Sequence, residues 1–313
     1  MGVTYRRAIR ALAVHFGCEP TEQAVYEYRL SADPAAYAAS LLRATGTERL
    51  LVDDGYPPPD EGCSWEEMGE LADCKAHPLM RLERVAEEAL DVSFGDFRER
   101  IRAEVATARA RGFVGLKTIA AYRTGLDIAP SDPVAAKEAF AVSGPRIESK
   151  PLLELALWDA LEANATDPLP VQVHAGFGDA DLFLPTVNPG YLKPLIERFR
   201  ETRFVLLHCY PYVREAGWLA HVYGNVWFDL SLTIPHVSRP AEMVRQALEL
   251  APVSKLLYGS DAARTPELYF LAAKWWREAL AEVLRDSLPA DEAEDAGRAI
   301  LRANAIDLYG LPG

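Results

Sequence analysis

Residues 170–179 read PVQVHAGFGD, and this stretch decides the fold. Val171 and Val173 alternate with Gln172 and His174, the two-residue period of a short buried strand. Ala175 and Gly176 break that period, so His174 stands at the strand's C-terminal end, where a loop begins. A single histidine closing an apolar run is more often a hydrogen-bonded core residue than a functional group. Recurrence changes that weighting.

Residues 203–211, RFVLLHCYP, place Phe204, Leu206 and His208 on one face, with His208 ending the apolar run. Residues 255–262, KLLYGSDA, place Gly259 and Asp261 together and end in the acid. Residues 113–120, FVGLKTIA, do the same with Gly115 and Lys117. Four strand-like runs therefore each close on one ionisable or metal-capable side chain: Lys117, His174, His208 and Asp261. Chance would rarely arrange this.

The 313 residues, 50% hydrophobic, suit one large α/β domain or two small ones. A formal net charge of -13, with no basic stripe, argues against a nucleic-acid partner. Cys18, Cys63, Cys74 and Cys209 lack CxxC spacing, so neither a zinc ribbon nor a disulfide scaffold is expected. Reduced thiols point to a cytoplasmic protein. No apolar run reaches the roughly 18 residues that a membrane span needs. The opening MGVTYRRAIRALAVHFG is amphipathic and has no small-residue cleavage site, so no signal peptide is expected.

In chain order, apolar spacing predicts a helix over 3–16, stopped by Gly17. His15 within it is expected to be structural. Thr21 opens a second helix, and Asp33-Pro34 opens a third that Gly46 closes. ERLLVDD at 48–54 is the first strand. A Pro-rich loop, GYPPPDEGC, follows at 55–63, and Ser64 opens a helix. MRLERV at 80–85 reads equally well as a short strand with Arg81 and Glu83 facing inward or as the start of a helix. A long helix over 94–111 stops at Gly112. Asp132-Pro133 and Ser149-Lys150-Pro151 open two helices between Lys117 and His174. NVWFDLSLT at 225–233 is a strand with Trp227, Asp229 and Ser231 on one face.

Seven strands alternating with helices across 48–262 imply parallel βαβ units and the α/β class. Functional groups at the ends of several different strands favour a (β/α)8 TIM barrel over a doubly wound sheet, which gathers its ligand at one switch point. The expectation is one barrel domain over 1–313, with helical segments at 1–46 and 263–313.

Two imidazoles and a carboxylate suit zinc, with manganese or another first-row divalent ion as the alternative. Such an ion acidifies bound water and polarises a carbonyl. Asp261 is placed to ligate it and to take the proton of the attacking water as the catalytic base. Ser260 invites a serine-hydrolase reading, but GSDAA lacks the G-x-S-x-G elbow.

The strand-end set, with the phrases VGLKTIAAYRTGL, VQVHAGFGDADL, LLHCYPYVREAGWLA, VWFDLSL and LLYGSDA, resembles the amidohydrolase superfamily. Within it the chain is most similar to the amidohydrolase-2 branch and its FluG-type domain. The resemblance spans nearly the whole chain. It implies a metal-dependent hydrolase on a distorted (β/α)8 barrel, with ligands Lys117, His174, His208 and Asp261 from the fourth, fifth, sixth and eighth strands. It also implies that Lys117 becomes an anionic ligand once CO₂ converts it to a carbamate.

One departure is large. The family pattern opens with a strand carrying His-x-His, and that motif occurs nowhere in this sequence. ERLLVDD matches the family's second strand. The expectation is a barrel without its first strand, through a shortened reading frame (the favoured reading) or as a natural variant. Such a chain is expected to hold at most one ion.

Tyr122, Arg123, Asp179, Tyr210, Tyr212 and Arg214 follow strand ends, and His236 follows the seventh strand. Each is a candidate for contacting a small-molecule substrate, weighed against being an ordinary solvated loop residue. His221, inside a helix, and Cys209, facing away from His208, are expected to be structural. The expected reaction is hydrolysis of an amide or related C–N bond, as in a γ-glutamyl-like compound. A metal-dependent decarboxylase or lactonase of the same branch, and a catalytically silent barrel that binds a partner, are the alternatives. Homo-oligomerisation stays open.

Overall fold

The strands predicted from alternation form one open parallel sheet, in sequence order. They are β1 (Arg49–Val52), β2 (Lys75–Arg81), β3 (Gly115–Thr118), β4 (Val171–Ala175), β5 (Phe204–His208), β6 (Val226–Asp229) and β7 (Leu256–Leu257). The structure is a computed structural model that describes residues 2–53, 55 and 61–312. Asp54 and most of the Pro-rich loop lie outside the described residues.

Alternation sorts the side chains onto two faces. Leu116, Val171, Val173, Phe204, Leu206, Val226 and Phe228 join the large core shared with surrounding helices, which contribute Phe97, Ile101, Leu153 and Leu157. Leu79, Val205, Leu207 and Leu257 form a smaller cluster on the concave face. The C-terminal helix Asn304–Tyr309 closes that cluster with Leu308 and Tyr309. Gln172 Nε2 donates to the Tyr309 hydroxyl at 2.8 Å, which seats the helix near the N-terminal ends of the strands. Burial on both faces explains why the strands read as apolar runs.

The helix starts follow their caps. Thr21 accepts from Ala24 N–H, Asp33 accepts from Ala36 N–H, and Ser64 forms a reciprocal capping box with Glu67. Gly17 ends the helix Val3–Phe16 with a left-handed φ of 68°.

Several boundaries differ from expectation. β2 begins at Lys75, five residues before the predicted run, because polar Lys75 and His77 and the proline at 78 hide the strand. From Leu82 the chain is helical, yet both Arg81, the last residue of β2, and Glu83 line the cavity. The buried Oε1 of Glu83 accepts from Thr118 Oγ1 and Ile119 N–H, and burial raises its pKa. The helix predicted over 94–111 divides into Phe94–Ala106 and a 3-10 turn at Arg109–Arg111. β7 stops at Leu257, so Asp261 lies on the following loop instead of ending the strand.

Among the described residues, the outer edges of β1 and β7 carry no strand partner. The sheet is therefore a barrel left open between them, and a cavity of about 2100 Å³ occupies its concave side. Among the described residues no helix is long and apolar enough to cross a membrane.

Candidate metal and active site

Lys117 and His174 reach the cavity by simple alternation on β3 and β4, opposite the outward-facing Leu116 and Val173. His208 does not. Phe204 and Leu206 pack outward, so strict alternation would send His208 outward with them, contrary to the expected shared face. A left-handed backbone at His208, φ 67°, ends the alternation and brings its ring to the cavity. Two straps hold that strained residue: its N–H donates to Asp229 Oδ1 at 2.8 Å, and its carbonyl accepts from Thr233 Oγ1 at 2.7 Å. Asp261 is left-handed too, with φ 48°.

Parallel register sets Ala175 opposite His208, and the rings of His174 and His208 lie 4.4 Å apart between centroids. His208 Nε2 is 3.5 Å from Asp261 Oδ2. Lys117, His174, His208 and Asp261 thus line one cavity.

Burial pushes the pKa of both imidazoles well below the ordinary histidine range. The second ring and the Lys117 cation add to this at His174, and Lys117 adds to it at His208. Both rings are therefore neutral at pH 7, the form that ligates a metal. The Nε2 atoms of both rings are buried and make no hydrogen bond. An unpaired buried polar atom is costly and calls for a partner.

Among the described residues, no three His, Cys, Asp or Glu side chains stand close enough together to enclose an ion unaided. The donor chemistry nevertheless fits: two neutral nitrogens without partners and one adjacent carboxylate suit a first-row divalent ion.

The remaining candidates divide. Tyr122 packs its ring 4.6 Å from His174. Its hydroxyl occupies space over Gly178, where a Cβ would fall 1.7 Å from the oxygen. Burial pushes its pKa up to about 12, so the hydroxyl keeps its proton. Arg123 also lines the cavity, with Nη2 held by Glu87 at 3.0 Å and Nε buried without a partner. Asp179 and His236 line it as well, and His236 Nδ1 lies 2.7 Å from Leu232 O.

Tyr210 and Arg214 do not join them. Tyr210 packs edge-on against Phe177, and Arg214, on the helix Val213–Val222, pairs on the surface with Glu249 at 3.0 Å. Tyr212 reaches Leu184 O instead. His15 packs between Phe16 and Phe270, and the Cys209 thiol is fully buried, as expected.

Two polar pairs that line the cavity carry no expected site role. Arg81 and Asp53, at the ends of β2 and β1, form a bidentate pair with contacts of 2.6–3.1 Å. Asp229 and Ser231 stand at the end of β6 against His208. Their strand-end position was the available signal, the same one that marked the other four.

Comparisons with known proteins bear on the family and the fold. The amidohydrolase family's sequence model matches residues 71–311. Protein FluG of Emericella nidulans is 39% identical over 221 residues, which is 63% of this chain, and the chain spans 26% of that protein's length. The crystal structure of a candidate metal-dependent hydrolase from Lactobacillus casei ATCC 334 is similar at TM-score 0.89 and 31% identity, covering 98% of this chain and 84% of that one. A TIM-barrel protein from Bordetella bronchiseptica is 15% identical with TM-score 0.54, covers 99% and 92% of the two chains, and agrees in fold. From the match over residues 71–311, the chain belongs to the amidohydrolase family, whose metal-dependent hydrolase fold implies a divalent ion.

Proposed function

We propose that this chain hydrolyses an amide or related C–N bond of a small molecule, using one divalent ion for which His208 and Asp261 form the preset donor pair and His174 moves in to complete the set. One observation carries this: two neutral buried imidazoles turn partnerless Nε2 atoms to the same cavity as a carboxylate. Zinc suits that donor set best. When bound, the ion supplies an acidified water and polarises the scissile carbonyl.

The chain's own residues supply the rest. Asp261 accepts the proton of the attacking water and can pass it to the leaving nitrogen. Tyr122 keeps its hydroxyl proton and donates a hydrogen bond to a substrate oxygen beside His174. Arg123, Asp179 and His236 border the space a substrate fills. Lys117 serves as a ligand if its neutral amine adds to CO₂, forming an N–C bond and releasing one proton to solvent. Without that reaction it adds to burial, the larger cause, in holding both rings neutral.

A second reading has one observation in its favour. Because no three donor side chains are assembled among the described residues, a barrel that binds a partner without catalysis remains the competitor.

The test is a zinc-loaded and a chelator-stripped preparation assayed for amine or ammonia release against a panel of N-acyl and γ-glutamyl amides. Release that depends on metal and disappears in His174→Ala supports the hydrolase. No metal binding and no release from any amide of the panel supports the binding module.

A further inference from the structure

On the Nδ1 side of the His208 ring, at the cavity wall, three buried side chains meet. Ser231 Oγ lies 2.7 Å from His208 Nδ1 and 2.8 Å from Asp229 Oδ1. Asp229 Oδ1 also accepts the backbone N–H groups of His208 at 2.8 Å and of Ser231 at 3.0 Å. All three side chains are buried. Gly259 closes the far side: a Cβ there would lie 2.8 Å from Asp229 Oδ2 and 2.9 Å from Ser231 Cβ. The carboxylate therefore has little room to turn.

Proton counting decides how this cluster is wired. Asp229 Oδ1 faces two backbone N–H groups, so it is an acceptor. Ser231 has one hydroxyl proton and two close neighbours. If that proton pointed at His208 Nδ1, two oxygens would face each other at 2.8 Å with no hydrogen between them. If it points at Asp229, then Nδ1–H can donate to Ser231 Oγ, and both short side-chain contacts become hydrogen bonds. This wiring gives up the long hydrogen bond from Leu232 N–H to Nδ1, 3.4 Å, in favour of contacts of 2.7 and 2.8 Å.

We propose that Asp229 and Ser231 are positioning residues that hold His208 as its Nδ1–H tautomer, keeping the Nε2 lone pair turned toward Asp261 and the cavity. Neutral imidazole in water has no such constraint. With Nε2 protonated, the ring would present a donor where an ion must bind. The pair thus presets His208 for a metal before the metal arrives. This inference rests on reading His208 as a ligand, but its central claim concerns the metal-free chain.

The experiment is long-range proton–nitrogen correlation NMR on the chelator-stripped chain carrying ¹⁵N-histidine, with His208 assigned from His208→Gln. The expected spectrum shows His208 Nδ1 protonated and Nε2 bare. Ser231→Ala should convert the ring to the Nε2–H form, and Ser231→Thr, which keeps the hydroxyl, should restore the original. A parallel cobalt(II) titration should show affinity falling about 10–100-fold in Ser231→Ala and returning in Ser231→Thr. A protonated Nε2 in the unaltered chain, or a tautomer unmoved by Ser231→Ala, overturns the proposal. The stated tautomer in a chain that binds no cobalt supports it, while removing the reading of His208 as a ligand.

Discussion

His208 Nε2 stands 3.5 Å from Asp261 Oδ2, too far for a good hydrogen bond. It is close to the spacing of two donors on one ion: ligands each about 2.1 Å from a tetrahedral metal lie about 3.4 Å apart. The two residues reach this spacing by leaving regular strand geometry, each with a left-handed backbone. The contact therefore depends on local loops and not on the pleat of the sheet.

Replacing Asp261 with Asn keeps size and removes the proton acceptor. Turnover of the metal-loaded chain should fall at least about 10²-fold, with the thermal midpoint nearly unchanged because the side chain is 40% exposed. An Asn variant with full turnover would remove Asp261 as the base.

Acidification should destabilise the metal-free protein. Burial first, and Lys117 with it, hold His174 and His208 below the ordinary range, so the folded state binds fewer protons than the unfolded state once pH drops below about 6.5. Their contribution is fully present above that pH and is lost as pH falls. Urea unfolding at pH 7.5, 6.5 and 5.5 should show stability declining by up to about 1.4 kcal/mol per pH unit for each ring. His174→Gln should flatten the slope, and an identical slope in that variant would contradict the assignment.

Two glycines after His174 should respond differently to Ala. Gly176 has φ 78°, and its Cβ would lie 2.4 Å from the Tyr210 backbone oxygen. Gly176→Ala should therefore cost more than about 1 kcal/mol of stability. Gly178→Ala meets the end of the Tyr122 side chain instead, so it should lower turnover with less effect on denaturant midpoint. The pair is compared by chemical denaturation and steady-state rates.

Arg214→Ala should leave turnover unchanged and stability within about 0.5 kcal/mol, because its ion pair with Glu249 is solvent-exposed. A rate loss would return Arg214 to the substrate site.

These cases show where the sequence was legible. Lys117 and His174 obey strand parity, so alternation alone placed them. His208 was found by its position, but its face was misread because a left-handed residue resets parity. Arg214 looked equivalent to Tyr122 in sequence, yet a helix turned it outward. Ser231 and Asp229 carried the right spacing, but their role lies in contacts to His208 from a neighbouring strand, which no local pattern contains. The strand β2 was obscured by its own polar start and proline.

The central claim is tested most directly by metal stoichiometry. The stripped chain is titrated with zinc by calorimetry, with elemental analysis of the dialysed product, beside His174→Ala and His208→Ala variants whose folding is verified by circular dichroism. The account predicts one zinc per chain, with binding abolished in both variants. No binding by the unaltered chain, or one zinc retained when either histidine is removed, would contradict it.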